Sequence, residues 1–172
     1  MIQKYICNNN CKTIKTDQMK MKSAVLLFFA TLFVSICHNV DAQMKRSPTL
    51  NHVAVYVYDL QKSADFYKNI IGLESIPEPF HDGHHEWFRI GPHSQMHVIS
   101  GAKSVVEHDK DSHLCFSVSS MEDFIANLNK NKVPYGNWAG EPNKMTTRPD
   151  GVKQIYFKDP DGYWIEINND TY

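Results

Sequence analysis

Imidazole and carboxylate side chains recur in this chain at positions where strands would present them on one face. Because side chains alternate along a strand, Val53, Leu114 and Ile165 would face a core while their neighbours face away from it. The residues predicted on the opposite face are His52, His97, His113 and Glu166. Four such ligands on one concave surface are what a divalent metal site needs. The sequence therefore predicts a metal centre built from distant parts of the chain.

The carboxylate of this set follows a strong turn signal. Asp159-Pro160-Asp161-Gly162 places proline at the second and glycine at the fourth position of a type I turn. Alternating runs over 152–157 and 163–168 flank the turn. The pattern predicts a hairpin that delivers Glu166 on the face opposite Ile165.

The elements around these residues form a pattern that occurs twice. The first copy is predicted to contain a strand over 50–57, a helix over 59–71, and strands over 85–90 and 95–100. The second contains a strand over 112–118, a helix capped by Ser120, and the closing hairpin. A repeat of about 60 residues predicts two similar modules. A polar segment over 132–149, interrupted by proline and glycine, predicts a long loop and candidate lid.

Composition limits the class of protein. The chain has 172 residues, a net charge of −1 at pH 7 and 42% hydrophobic residues, which is typical of a globular protein. It has no basic run, so a nucleic-acid partner is not expected. We expect residues 48–170 to form one domain, with modules at about 48–101 and 110–169.

The first 42 residues are predicted to be an N-terminal extension with a signal peptide. Lysines precede an apolar run over 24–37, which is shorter than the roughly 20 residues that span a bilayer. Small residues before Gln43 suit cleavage after Ala42. We expect an exported, periplasmic or secreted protein without stable membrane insertion after cleavage, with an uncleaved anchor as the alternative. Cleavage would leave Cys115 as the single cysteine, so no intrachain disulfide is expected.

Residues 48–169 resemble the vicinal oxygen chelate superfamily, which includes glyoxalase I, methylmalonyl-CoA epimerase, extradiol dioxygenases, and fosfomycin- and bleomycin-resistance proteins. The stretches that carry the resemblance are Asn51-His52-Val53-Ala54-Val55, Asp65 to Leu73, His113 to Val118, and Phe157 to Glu166. The resemblance implies an α+β fold of paired βαβββ modules whose sheets form a cup around one divalent metal ion. It also implies a small-molecule substrate.

The resemblance implies roles for individual residues. It assigns His52, His113 and Glu166 as metal ligands, a set that suits Ni, Co, Zn, Fe or Mn. His97 departs from the family pattern, because the corresponding strand supplies glutamate in glyoxalase I and glutamine in the epimerase. We expect His97 to be a fourth ligand, with a cavity-lining role as the alternative. Glu166 is the best candidate for a catalytic base.

Further side chains are candidates for binding the substrate. The aromatic residues on the same predicted face are Trp87, Tyr156 and Trp164, for which ordinary packing is the alternative. The candidates for holding an anionic group are Arg89, Arg148 and Lys144, although residues such as Arg148 and Lys144 are more often plain solvated surface charge.

Three functions remain open from the sequence. The leading one is a metal-dependent lyase or isomerase of the glyoxalase/epimerase type, acting on a small hydroxycarbonyl compound. The others are an Fe(II)-dependent ring-cleaving dioxygenase and a non-catalytic binding or resistance protein. Export argues against substrates conjugated to glutathione or coenzyme A. A homodimer is expected on the resemblance alone, since family members pair their modules within one chain or between two.

Overall fold

The computed structural model describes residues 48–171 as two four-stranded mixed sheets with few helices. This confirms the α+β class and the paired βαβββ modules expected from the sequence. The predicted signal peptide lies outside the described residues. Within residues 48–171, no helix is long and apolar enough to cross a membrane.

The two modules follow one another along the chain. The first contains β1 (His52–Val57), α1 (Leu60–Phe66), a π-helical segment (Tyr67–Ile71), β2 (Glu74–Ile76), β3 (His85–Arg89) and β4 (Gln95–Ser100). The second contains β5 (His113–Ser117), α2 (Met121–Lys130), β6 (Thr146–Thr147), β7 (Lys153–Lys158) and β8 (Trp164–Asn168).

The two sheets have equivalent strand orders. They run β1-β4-β3-β2 and β5-β8-β7-β6, and the first pair in each sheet is parallel while the others are antiparallel. This equivalence confirms the repeat seen in the sequence. The short strands β2 and β6 were not predicted from periodicity, and β6 lies within the predicted loop over 132–149.

Local sequence signals place both helices. The Asp59 side chain accepts a hydrogen bond from the backbone N–H of Lys62 at 3.1 Å, and Ser120 accepts one from Asp123 at 3.1 Å. Both are N-cap interactions that satisfy free N–H groups of the first turn. The first helical region ends at Gly72, whose φ of +86° is a left-handed conformation that favours glycine.

The two modules share one hydrophobic core. Val55, Met96 and Phe88 of the first sheet and Ile155 and Ile167 of the second are buried in the same cluster. The helices contribute the buried side chains of Ala64, Phe66, Met121 and Leu128. Because strand side chains alternate, the polar face of each sheet looks away from this shared core.

The Asp159–Gly162 turn of the second module is docked on the first helix. The buried Tyr67 hydroxyl donates to Asp159 at 2.6 Å. The buried Asp161 carboxylate accepts from the backbone N–H of Tyr58 at 2.6 Å and from the Ser63 hydroxyl. Burial is the largest effect on the pKa of Asp159, which lies above its ordinary value although the Tyr67 bond lowers it. We call these contacts the seam between the modules.

Apolar and amide contacts extend the seam. The rings of Phe66 and Phe157 lie 6.2 Å apart, and the Asn127 amide donates to the carbonyl of Ile70 at 3.1 Å. The helical sides of the two modules therefore meet inside one chain.

The seam predicts a specific loss of stability. Tyr67→Phe should lower the free energy of unfolding by about 1–3 kcal/mol, because it leaves the buried Asp159 carboxylate without its hydroxyl donor. Urea unfolding at pH 7, followed by circular dichroism, measures the change. Tyr58→Phe is the matched control, since the Tyr58 side chain is exposed and only its backbone joins the seam. Equal stability of the two variants would contradict the assignment.

Candidate functional site

Glu166 lies at the centre of a hydrogen-bonded cluster on the polar face of the second sheet. It is 5% exposed and pairs in register with Cys115 on β5 and Tyr156 on β7. The Tyr156 hydroxyl donates to Oε2 at 2.7 Å. Gln154 and Asn168 donate to Oε1 at 2.5 and 3.0 Å, and the Cys115 thiol lies 3.3 Å from the same oxygen.

These donors decide the charge of the carboxyl group. Burial, the largest single effect, raises the pKa of Glu166, but hydrogen bonds from Tyr156, Asn168, Cys115 and Gln154 together outweigh it. The pKa therefore lies below its ordinary value, since the bonds stabilise the charged form. Glu166 is an ionised carboxylate at neutral pH.

His113 stands next to this carboxylate. Its Nδ1 atom is 2.8 Å from the backbone carbonyl oxygen of Lys110, and its Nε2 atom is 3.2 Å from Oε2 of Glu166. A carbonyl oxygen only accepts hydrogen bonds, so Nδ1 carries a proton. In the neutral imidazole, Nε2 then directs a lone pair toward Oε2 of Glu166, and the two electron-rich atoms repel each other. We call His113, Glu166 and the four Glu166 donors the acid half-site.

The acid half-site fits a metal ion. Two adjacent ligands, each about 2.1 Å from one ion, lie about 3.0–3.4 Å apart at octahedral to tetrahedral angles. The separation of 3.2 Å between Nε2 of His113 and Oε2 of Glu166 falls in this range. His113 and Glu166 would hold such an ion, which would remove the repulsion between their two atoms, and the carbonyl on Nδ1 is the kind of outer partner that metal-bound histidines usually have.

Three aromatic rings occupy the polar face of the first sheet. His97 is stacked between His52, with ring centroids 4.4 Å apart, and Trp87, with centroids 3.9 Å apart. Nδ1 of His52 is 2.8 Å from the side-chain oxygen of Asn51, which leaves Nε2 of the neutral ring free to bind a metal. His52, His97 and Trp87 form what we call the imidazole half-site.

The stacking distinguishes His52 from His97 as candidate metal ligands. Their rings are inclined by only 11°, so the ring nitrogens of His52 and His97 direct their lone pairs along nearly parallel planes, and His52 is the residue that would hold a metal ion. Burial first, and then the neighbouring imidazole of His52, lower the pKa of His97, which keeps His97 neutral. In this arrangement the His97 ring packs against the His52 ring.

An unpaired donor marks the same face. The Trp87 indole N–H is buried and finds no acceptor among residues 48–171. An unsatisfied buried donor costs about 1–3 kcal/mol.

The four predicted ligands form two pairs within one chain. His113 and Glu166 are adjacent, and His52 contacts His97. Over residues 48–171, no three His, Cys, Asp or Glu side chains are grouped so that they could share one ion. The seam explains this separation, because it joins the modules through their helical sides.

The arginines predicted to hold an anionic group are paired with acids. Nε of Arg89 donates to Glu74 at 2.9 Å. Arg148 pairs with Asp150 and, at 3.5 Å, with Asp170. Both guanidinium groups therefore have carboxylate partners at the protein surface.

Two of the predicted aromatic residues belong to the half-sites. Trp87 is part of the imidazole half-site, and Tyr156 is one of the Glu166 donors in the acid half-site. Trp164 donates from its indole N–H to the His108 carbonyl at 3.1 Å. The sequence prediction missed Gln154 and Asn168, although strand alternation places both on the face of Glu166.

Comparison with known proteins is consistent with this architecture. The family model described as Glyoxalase/Bleomycin resistance protein/Dioxygenase superfamily matches residues 49–167. Mitochondrial methylmalonyl-CoA epimerase of Homo sapiens is 32% identical over 129 residues, which cover 69% of this chain and 72% of that protein. "Glyoxylase I 4" of Arabidopsis thaliana is 27% identical over 127 residues, covering 70% of each.

A solved structure supports the fold. The glyoxalase/dioxygenase from Nostoc punctiforme superposes with a TM-score of 0.60 at 22% identity, covering 72% of this chain and 92% of that one. At this identity the likeness concerns the fold alone.

The acid half-site predicts the reactivity of Cys115. Desolvation, followed by the hydrogen bond to Glu166 and its charge, raises the pKa of the thiol to about 12. Alkylation by iodoacetamide at pH 8 should therefore be slow, because little thiolate is present. Glu166→Gln should lower the thiol pKa and speed the reaction about tenfold or more. Mass spectrometry of the Cys115 peptide measures the rate.

The control for this prediction is Glu122→Gln, the same change at an exposed position of α2. It should leave the Cys115 rate unchanged. Identical pH–rate profiles for Glu166→Gln and the wild-type protein would show that the carboxylate does not control the thiol.

Proposed function

Since the chain belongs to the glyoxalase/bleomycin resistance protein/dioxygenase superfamily, we propose that it is a metal-dependent lyase or isomerase acting on a small hydroxycarbonyl compound. The observation that carries the proposal is the 3.2 Å separation of His113 Nε2 and Glu166 Oε2, which suits two ligands of one ion. Similarity to proteins named as an epimerase and a glyoxylase supports this reaction class.

The ligands in this proposal are His52, His113 and Glu166. Two imidazoles and one carboxylate bind Ni, Co, Zn, Fe or Mn, and leave positions for substrate oxygens. A bound divalent ion would polarise a substrate carbonyl or hydroxyl group and so acidify the neighbouring C–H bond.

The chain's own residues would manage the proton. In this proposal Glu166, which is ionised at neutral pH, accepts a proton from the substrate carbon. Burial, together with the bond to Glu166, raises the pKa of Tyr156, so its hydroxyl keeps its proton and acts as a hydrogen-bond donor. The donors around Glu166 hold the carboxylate in one orientation.

A homodimer would complete the site. Because the half-sites lie on faces that look away from the shared core, we propose that His52 of one copy meets His113 and Glu166 of another. The imidazole half-site is available for such pairing, since His52 is exposed.

We also propose that the protein acts outside the cytoplasm. The support is the apolar run over 24–37 and the small residues before Gln43. Mass spectrometry of the protein recovered from the native source should find Gln43 at the amino terminus.

One observation favours a non-catalytic binding protein as the second candidate. Four donors already satisfy Glu166, as they would a structural carboxylate. Metal analysis of untagged protein, combined with oxygen-uptake measurements, separates the candidates. Stoichiometric metal without oxygen uptake supports the lyase or isomerase, iron with oxygen uptake supports a dioxygenase, and the lack of stoichiometric metal supports a binding protein.

The ligand assignment predicts the effect of one substitution. His113→Ala should reduce the bound metal to less than about a tenth of the wild-type amount, because it removes a ligand from the ion. Its far-ultraviolet circular dichroism should remain unchanged. His81→Ala is the control, since His81 is an exposed histidine in a loop. Equal metal content in the two variants, measured by mass spectrometry of the eluted metal, would exclude His113 as a ligand.

Pairing between chains makes a second prediction. His52→Ala and His113→Ala should each abolish metal binding alone. Co-expression of the two should restore about one quarter of the sites, since a mixed dimer keeps one intact site of two and mixed dimers form half of a random population. If co-expression restores nothing while the wild-type protein binds metal, the site does not form between two chains.

A further inference from the structure

A cavity of about 350 Å³ lies on the polar face of the second sheet, beside the acid half-site. The residues that form its walls include Lys110, Tyr135, Pro142, Tyr156 and Trp164. The cavity is therefore largely apolar, with aromatic rings and the Lys110 ammonium group among its walls. Tyr156 belongs both to this cavity and to the hydrogen-bond cluster around Glu166.

The Lys110 ammonium group is surrounded by aromatic rings. Its Nζ atom is 4.7 Å from the ring centroid of Trp164, 4.9 Å from that of Tyr156 and 5.3 Å from that of Trp138. It donates to the carbonyl oxygens of Asn137 at 3.2 Å and Trp138 at 2.9 Å. An ammonium group has three N–H donors. One donor therefore remains for another acceptor.

The charge of Lys110 has no carboxylate partner within residues 48–171. Lys158, which also lines the cavity, is paired with Glu107, and Arg148 of the same module is paired with Asp150. A half-buried cation without an anion is costly, and a bound anion would offset that cost.

We propose that Lys110 binds the carboxylate of a small apolar monocarboxylate, whose hydrocarbon part packs against Tyr156 and Trp164. Binding of the carboxylate at Lys110 does not depend on the proposed function. Only the position of the substrate's reacting end at Glu166 rests on that function. One free N–H and one unpaired positive charge suit a monoanion better than a phosphate dianion. Lys110 thus determines which substrates enter.

A purely structural role for Lys110 makes a different prediction. Its two bonds to the carbonyls of Asn137 and Trp138 could simply hold the loop against the sheet. Loss of the side chain would then impair binding of charged and neutral compounds alike. If Lys110 instead binds an anion, loss of its side chain should weaken binding of the charged compound alone.

The test uses full-length protein freed of metal by dialysis against EDTA. Isothermal titration calorimetry measures binding of benzoate and of benzamide, its neutral counterpart. Lys110→Met should weaken benzoate binding about tenfold or more, since a charge-assisted bond is lost, and should change benzamide binding less than about twofold. Lys130→Met, an exposed lysine at the end of α2, should match the wild-type protein for both compounds.

Three outcomes would overturn the proposal: no benzoate binding to the wild-type protein, an unchanged benzoate affinity in Lys110→Met, or an equal loss for both compounds. Because no metal is present, failure here leaves the metal-loading results intact. Conversely, benzoate binding that depends on Lys110 in a protein without metal affinity would support this inference and refute the proposed reaction.

Discussion

The docking of the Asp159–Gly162 turn on α1 is the interaction on which the rest of the structure depends. Two buried carboxylates, those of Asp159 and Asp161, are satisfied by Tyr67, Ser63 and a backbone N–H of the first module. Buried carboxylates without donors would be strongly destabilising. The turn can therefore dock in few other ways, and the helical sides of the modules are brought together.

This docking decides what each sheet can do. With one face of each sheet buried in the shared core, the ligand-bearing faces are left on the outside of that core. His113 and Glu166 come together because β5 and β8 are parallel neighbours in one sheet. His52 belongs to the other sheet, so it can complete the site only through another chain or another arrangement of the modules.

The fold was predictable to the extent that its signals are local. Strand alternation placed Val53 and Ile165 in the core and Glu166 opposite, because a period of two is visible within a few residues. The strands β2 and β6 are too short for periodicity and depend on pairing with distant partners. The separation of His52 from His113 was not predictable, since it follows from side-chain contacts across the seam.

The cavity next to Glu166 lies between two opposite charges, those of Glu166 and Lys110, which no single sequence motif reveals. The Tyr156 hydroxyl donates a hydrogen bond to the ionised Glu166 carboxylate. The ring of the same tyrosine lies against the Lys110 ammonium group. A substrate with a carboxylate at one end would be repelled by Glu166 and attracted by Lys110, so only one orientation is favoured. Lys110 lies in an irregular linker whose local sequence gives no sign of this role, because the three rings around it come from separate parts of the second module. The same two opposite charges would therefore orient a bound monocarboxylate with its reacting carbon at Glu166.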